Sequence, residues 1–470
     1  MRARQAATLG AALVLLAACT NGSDGSSPSS GPGTSVGTPS TTPASSPGSG
    51  TAGRPADWPV YHYAGDRSGN YPSMPAAAGP PRVVTKLELD GQVYASPIVI
   101  NGVAVVATEN NTVYAFSSTY QQLWKKHLGT PSPASERQCG NIDPLGITGT
   151  PAYSASTGLV YVAPEFSGAP PTHELYALSL TTGAVSFHRS LDLPDVDSAA
   201  MQERGAIALV GSRVYVPFGG LNGDCGAYKG RVVGYASNGA GSPISYTVPT
   251  TREGGIWTPP GPVADSAGNI LVAVGNGESG VGDPYDYSDS VLELSATLKL
   301  TDSFSPTTWA TDNEADLDLG SQAPAITGAW IFAAGKSGTA YVLRRTHLGG
   351  IGGQVSKVSI CKSFGGAAVN GEIVYVPCTD GLRAVRVDSA GQMHVLWHAA
   401  SSTTGSPVIA GGRVWSLDPE AGDLYTLDPQ TGRSMGSTSV GATTRFATPA
   451  AYGRDLFVPT LAGMTVVRTS

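Results

Sequence analysis

The chain repeats itself. A small or hydroxyl residue, usually beside proline, opens an apolar run; a glycine turn, a Val-Tyr-Val-like run, a second turn and a Leu-Tyr-Ala-Leu-like run follow. The clearest copy is Gly405-Ser406-Pro407-Val408-Ile409-Ala410, then Arg413-Val414-Trp415-Ser416, then Asp423-Leu424-Tyr425-Thr426-Leu427-Asp428, ending on Thr431-Gly432. Units start near Ser96-Pro97, Thr150-Pro151, Ala206, Pro259, Ala323-Pro324, Ala367, Ser406-Pro407 and Thr448-Pro449. Their mean period of about fifty residues is that of a propeller blade. Each unit holds three or four short runs of Val, Ile, Tyr and Leu bounded by Gly, Asn and Asp, and none sustains a 3.6-residue apolar period. Very little helix is expected. One blade cannot bury both its faces, so the units must stack around an axis, and a closed ring leaves only short edges. The expected fold is all-β, an eight-bladed β-propeller.

Closure has its own signal. The last unit, Phe446 to Ser470, has room for about three of a blade's usual four strands, while Pro81-Arg82-Val83-Val84-Thr85-Lys86-Leu87-Glu88-Leu89 reads as a strand with nothing of its own to pair with. This N-terminal strand is expected to close the ring. The units before Ala323 are longer by roughly ten to twenty residues, length that must go into loops, and loops on a rigid ring are where binding usually sits. The stretch 130–320 is therefore where a localised function is expected.

Ahead of the repeats, Arg2 and Arg4 precede an apolar run from Ala6 to Ala18 that is too short for a permanent membrane span and reads as an export signal. It ends in Leu16-Ala17-Ala18-Cys19, which resembles the lipobox of bacterial lipoproteins, in which the cysteine thiol takes diacylglycerol before cleavage. The alternative is a plain signal peptide cut near an Ala-x-Ala site, with Cys19 a bystander. The segment 19–56 is almost wholly Ser, Gly, Thr and Pro, with Asp24 and Arg54 its only charges, so it has no apolar surface to bury. It reads as a tether of a few tens of ångströms. The expected organisation is signal peptide 1–18, lipidated tether 19–56 and propeller 57–470, the last monomeric and held outside the cytoplasm by lipid.

A formal charge of −7, with no cluster of Lys or Arg, removes the attraction on which nucleic-acid binding depends. Besides Cys19 there are Cys139, Cys225, Cys361 and Cys378, an even number in an exported chain. Cys361 and Cys378 sit in neighbouring strand-like segments, which favours their pairing and leaves Cys139 for Cys225. Neither pair has zinc-ligand spacing, and the seven His are scattered.

Trp58-Pro59-Val60-Tyr61 with Gly65-Asp66-Arg67-Ser68-Gly69, and Leu175-Tyr176-Ala177-Leu178 through Thr182-Gly183, resemble the opening and the repeat of the pyrroloquinoline-quinone (PQQ) propellers. That resemblance implies one of two functions. In the eight-bladed quinoprotein alcohol dehydrogenases, PQQ and calcium sit in the central funnel. In the propeller lipoprotein of the outer-membrane barrel-assembly machinery, the ring is a docking surface without cofactor. Trp257, nineteen residues before Asn276, resembles the pair that supplies the platform beneath the quinone and an amide to calcium. Lys336, in Ala334-Gly335-Lys336-Ser337-Gly338, resembles the basic residue at the quinone carbonyls, and Asp224, in Gly219 to Gly226, a carboxylate on calcium.

The same residues have plainer readings. Trp257 suits blade-to-blade packing, Gly275-Asn276-Gly277 a tight turn, Lys336 a solvated turn, and Asp224 a turn held by Cys225. Two departures from the dehydrogenases stand out: no two cysteines adjoin, and Ser295 stands where the repeat usually offers Asp. Asp316 and Asp318 follow in an acid-rich loop that reads as solvated. Gly275 to Gly280 fits G-x-G-x-x-G, but Val281-Gly282-Asp283-Pro284 cannot open the helix that a dinucleotide site needs. Ser434, in a G-x-S-x-G match, lies in a repeat turn and is not a nucleophile. His394 and His398 flank an outer-strand Trp397 and read as packed or exposed. The sequence thus favours a docking scaffold for an envelope protein or polymer, with a calcium- and PQQ-dependent alcohol or sugar dehydrogenase as the alternative.

Overall fold

The computed structural model describes residues 54–400 and 402–469; the expected export signal, Cys19 and the expected tether as far as residue 53 lie outside the described residues. Among the described residues, Ala56 already packs against the core. The described residues form eight sheets of four or five strands. The first strands of the blades are Ile98–Ile100, Ala152–Ser154, Ala208–Val210, Val263–Ala264, Ala325–Thr327, Ala368–Asn370, Val408–Ala410 and Ala450–Tyr452, each a few residues after an expected unit start. Within each blade the first strands follow one another antiparallel, so residues that follow second strands and those between blades share one end of the ring. The longest helix among the described residues, α1 (Trp309–Glu314), has about a turn and a half.

Burial explains the composition of each strand. Middle strands such as Thr112–Phe116 and Ile270–Val274 are buried at every position, covered by a neighbouring blade on each face. Outer strands are largely wet: Gln122–His127 buries only Trp124. That tryptophan crosses to the next blade, where its indole N–H donates to Leu180 O at 2.9 Å, and a Cβ on Gly183 would lie 2.6 Å from its ring. Trp397 repeats the contact, donating to Pro429 O at 3.0 Å with Gly432 beneath it. Gly183 and Gly432 also hold φ of 68° and 69°. The Thr-Gly that ends these units therefore answers a tryptophan of the preceding blade as well as its own turn.

The last three strands, Ala450–Tyr452, Asp455–Thr460 and Gly463–Arg468, share a sheet with Arg82–Glu88, which pairs antiparallel with Gly463–Arg468. Residues 58–71 run along the inner strands. The first strand of a blade has an unpaired inner edge, and this segment supplies acceptors to it: Pro59 O to Tyr153 N, Gly65 O to Ala264 N, Ser68 O to Val369 N and Gly69 O to Ile409 N, at 2.7–2.8 Å. Trp58 exchanges two backbone bonds with Val99. Arg67, 4% exposed, donates to the carbonyls of Tyr61, Ile207 and Pro262. Buried backbone donors that would otherwise be orphaned are thus satisfied in five blades.

Cys139 bonds Cys225, and Cys361 bonds Cys378. The first bridge ties the connection between blades 1 and 2 to the loop after the second strand of blade 3. Such pairs belong to an oxidising compartment outside the cytoplasm.

Candidate functional site

The structure brings three of the four sequence candidates into one cluster with a residue that sequence reading had set aside. Asn276 lies two residues after the second strand of blade 4, Ile270–Val274, and Lys336 two residues after that of blade 5, Trp330–Ala334. Trp257 and Asp318 lie in the connections into blades 4 and 5. All four are therefore at the same end of the ring.

Asp318 is the centre of the cluster. Its Oδ1 accepts the backbone N–H of Asn276, and its Oδ2 lies 2.6 Å from Lys336 Nζ. Gly275 is the wall between Asp318 and Trp257: a Cβ there would stand 2.6 Å from Asp318 Oδ1 and 3.1 Å from Trp257 Nε1. Lys336 Nζ also reaches Asp316 Oδ1 at 2.6 Å and lies 5.9 Å from the Trp257 ring centre. The solvated reading of Asp318 is corrected, since it is 2% exposed; Asp316 does face water. Hydrogen bonds from Lys336 N to the Asp318 carbonyl and from Leu319 N to the Asp289 side-chain Oδ1 pull the acidic loop inward.

The electrostatics are strained. Burial pushes the Asp318 carboxyl above its usual range, and Lys336 offsets only part of this. Asp289, fully buried with Oδ2 unpartnered, is pushed well up by burial and by the charge of Asp318. Glu253, which accepts from Asn276 Nδ2 at 3.3 Å and pairs with Arg252, is raised by burial too. Among the described residues, Lys336 pairs with Asp316 and Asp318 and acts electrostatically on Asp289, and Arg252 pairs with Glu253.

Asp224 stands at the edge of this cluster. It accepts the Tyr228 hydroxyl at 2.6 Å, and Arg252 donates to its backbone carbonyl and to that of Gly226. Burial, then Asp224, Glu253 and Asp318, hold the Tyr228 phenol far above its ordinary range. Asp224 is therefore already bonded within its loop, beside the Cys139–Cys225 bridge.

A second acidic group lies across the same end. Glu109, two residues after the second strand of blade 1, accepts from Gly146 N and Thr148 Oγ1 and leaves Oε1 unpartnered; burial raises its carboxyl to about 7. Glu203 accepts from Gly149 N, also with an unpartnered Oε1, and burial raises it strongly. Arg204 carries the connection onward: its guanidinium stacks 4.5 Å from Phe446, which meets Trp257 edge-on at 6.1 Å. Linear spacing hides these residues, but position in the repeat would have found them. Glu109, Asn276 and Lys336 hold one register after second strands, while Glu203, Trp257 and Asp318 come just before first strands.

His173 is clamped nearby, Nδ1 2.9 Å from Asp192 Oδ1 and Nε2 3.3 Å from Glu165 Oε2. Burial alone lowers an imidazole, but the two carboxylates outweigh it and raise His173 to about 10. The folded state therefore favours the protonated ring, an advantage complete below the ordinary histidine value of about 6.5 and lost as pH rises toward 10. His173→Gln is accordingly expected to lower the urea midpoint most below pH 6.5, with the gap to the parent closing as pH approaches 10. A gap independent of pH would mean that the clamp holds a neutral ring. His394 and His398 are exposed and engage Asp388 and Asp380 O separately, so they form no pair.

The family model described as outer membrane protein assembly factor BamB matches residues 44–229. Quinohemoprotein alcohol dehydrogenase from Comamonas testosteroni is similar in structure, with a TM-score of 0.69 and 16% identity over 89% of this chain and 81% of that one. BamB from Moraxella catarrhalis is similar with a TM-score of 0.56 and 16% identity, over 83% of this chain and 98% of that one. The computationally designed Ika8 protein gives 0.51 and 11%, over 82% and 98%. No curated protein sequence matches. Identities this low establish a shared fold alone.

Proposed function

This chain is an eight-bladed propeller of PQQ-like repeats, and from that premise we propose that it is an exported, calcium- and PQQ-dependent alcohol or sugar dehydrogenase, held to the membrane by lipid on Cys19. One observation carries the reading: a buried carboxylate, Asp318, joins the Asn276 backbone N–H to the Lys336 ammonium beside Trp257. This reverses the order favoured by sequence, in which the lack of a placeable base weighed against an enzyme.

The donor set suits both groups. Calcium takes carboxylate and amide oxygens, here Glu253 and Asn276, with Asp224 within electrostatic reach of Glu253. A dication would also offset the surplus of buried acid, including the orphaned Asp289 oxygen. A bound quinone supplies a two-electron acceptor, and a bound calcium ion a Lewis acid beside it. Trp257 offers a flat, half-buried wall. Lys336, fixed between two carboxylates, holds a positive charge where negative charge would develop. Asp318, with its pKa raised by burial, is suited to accept the proton of a substrate hydroxyl.

The test is a titration of the purified protein with PQQ, with and without calcium, read by tryptophan fluorescence. Calcium-dependent quenching is expected, lost in Trp257→Ala and Asn276→Ala. Folded protein with no quenching would overturn the reading.

A docking function is favoured by a different observation. The BamB family match falls on the N-terminal part of the chain, where the Cys139–Cys225 bridge braces two long loops at the same end of the ring. If quinone binding fails, that braced face is the surface to offer to envelope proteins or polymers.

A further inference from the structure

A cleft of about 420 Å³ opens between the connection that carries α1 and the outer part of blade 5. It adjoins the candidate site, because its wall includes Leu317 and Ser337, the chain neighbours of Asp318 and Lys336. Its size falls within the usual range for small-molecule sites, roughly 300–1,000 Å³, but its lining does not fit the usual apolar type. Of its eleven lining residues only Leu317 and Val358 are aliphatic; the other nine carry hydroxyl, amide, carboxylate or ammonium groups.

These groups are arranged as mixed donors and acceptors. Thr308 Oγ1 donates to Asp312 Oδ2 at 2.6 Å, which leaves the other carboxylate oxygen to accept. Burial raises the Asp312 carboxyl, so a donor placed against it would be favoured. Tyr341 is 5% exposed and packs one ring face near Phe304, at 5.3 Å between ring centres. Gln354 stands half-buried on the cleft wall. Lys357 adds a cation with three donors.

We infer that this cleft binds a polyol or saccharide, with Gln354, Lys357, Asp312 and Tyr341 reading its hydroxyl groups. An apolar alcohol would leave those groups unpaired, which is how a site built around substrate hydroxyls rejects analogues that lack them. That the ligand is also the substrate rests on the dehydrogenase reading; that it binds does not.

The experiment is saturation-transfer NMR on the full protein without quinone or calcium, using glucose and xylitol as probes and butan-1-ol as the comparison. Transfer to glucose or xylitol at millimolar concentration is expected, with none to butan-1-ol. Gln354→Leu and Lys357→Met are each expected to weaken binding at least tenfold. Thermal unfolding of each variant would confirm an intact ring. No transfer to either polyol, equal transfer to butan-1-ol, or unchanged binding in both folded variants would overturn the inference. Polyol binding alongside a failed PQQ titration would leave the cleft standing and remove the enzyme reading alone.

Discussion

Asp318→Asn is expected to cut alcohol oxidation by the reconstituted protein roughly 10²–10⁴-fold, the range supplied by a positioned acid–base group. The substitution keeps the size and the planar end of the side chain, so the ring has no reason to open. What it removes is the charge. Lys336 keeps Asp316, but that partner faces water, so a half-buried ammonium is left poorly compensated. A neutral amide can still accept from Asn276 N, but it cannot take a proton from a hydroxyl. Only the ionised Asp318 carboxylate can act as the base, so the parent rate should climb with pH through its titration, and the variant should lose this limb. The measurement is a pH–rate profile of both proteins under saturating cofactor. Full activity with an unchanged profile in Asp318→Asn would place the base elsewhere.

Arg67→Met is expected to cost about 3 kcal/mol or more, from hydrogen bonds to a charged donor worth roughly 1.5–3 kcal/mol each. Its guanidinium is buried and satisfies three carbonyls from different parts of the ring, those of Tyr61, Ile207 and Pro262. Burial pulls its pKa down to about 10, so it still carries its charge at neutral pH. Methionine retains the apolar stem and leaves all three acceptors without a donor. The loss should appear as a lower urea midpoint with the same slope, and Arg82→Ala, on an exposed position of the strand beside Gly463–Arg468, is the comparison that should change little. Equal midpoints for Arg67→Met and the parent would mean that residues 58–71 line the inner strands without holding them.

The architecture was legible because it is periodic. Proline and small residues mark each unit start, and the first strands begin within a few residues of those marks. The Thr-Gly turn was legible as a signature, but its second cause was not: the tryptophan that presses on Gly432 comes from the preceding blade, through Trp397. The Cys361–Cys378 pairing could be read from nearness in the chain. Trp257, Asn276 and Lys336 were found by spacing within the PQQ resemblance, whereas Asp318 was set aside because an acid-rich loop normally faces water.

Strand length, turn placement, blade number and the choice of inward residues follow from local chemistry repeated along the chain, and the sequence by itself determined them. Which loop residues meet was decided only by the tertiary structure. Ring stacking brings the ends of separate second strands and the connections into blades to one face, so Asn276 and Asp318, which are 42 residues apart, share a hydrogen bond. Local pattern cannot encode that contact, because the burial that turns Asp318 from a solvated acid into a strained one comes from blades 4 and 5 closing on it together.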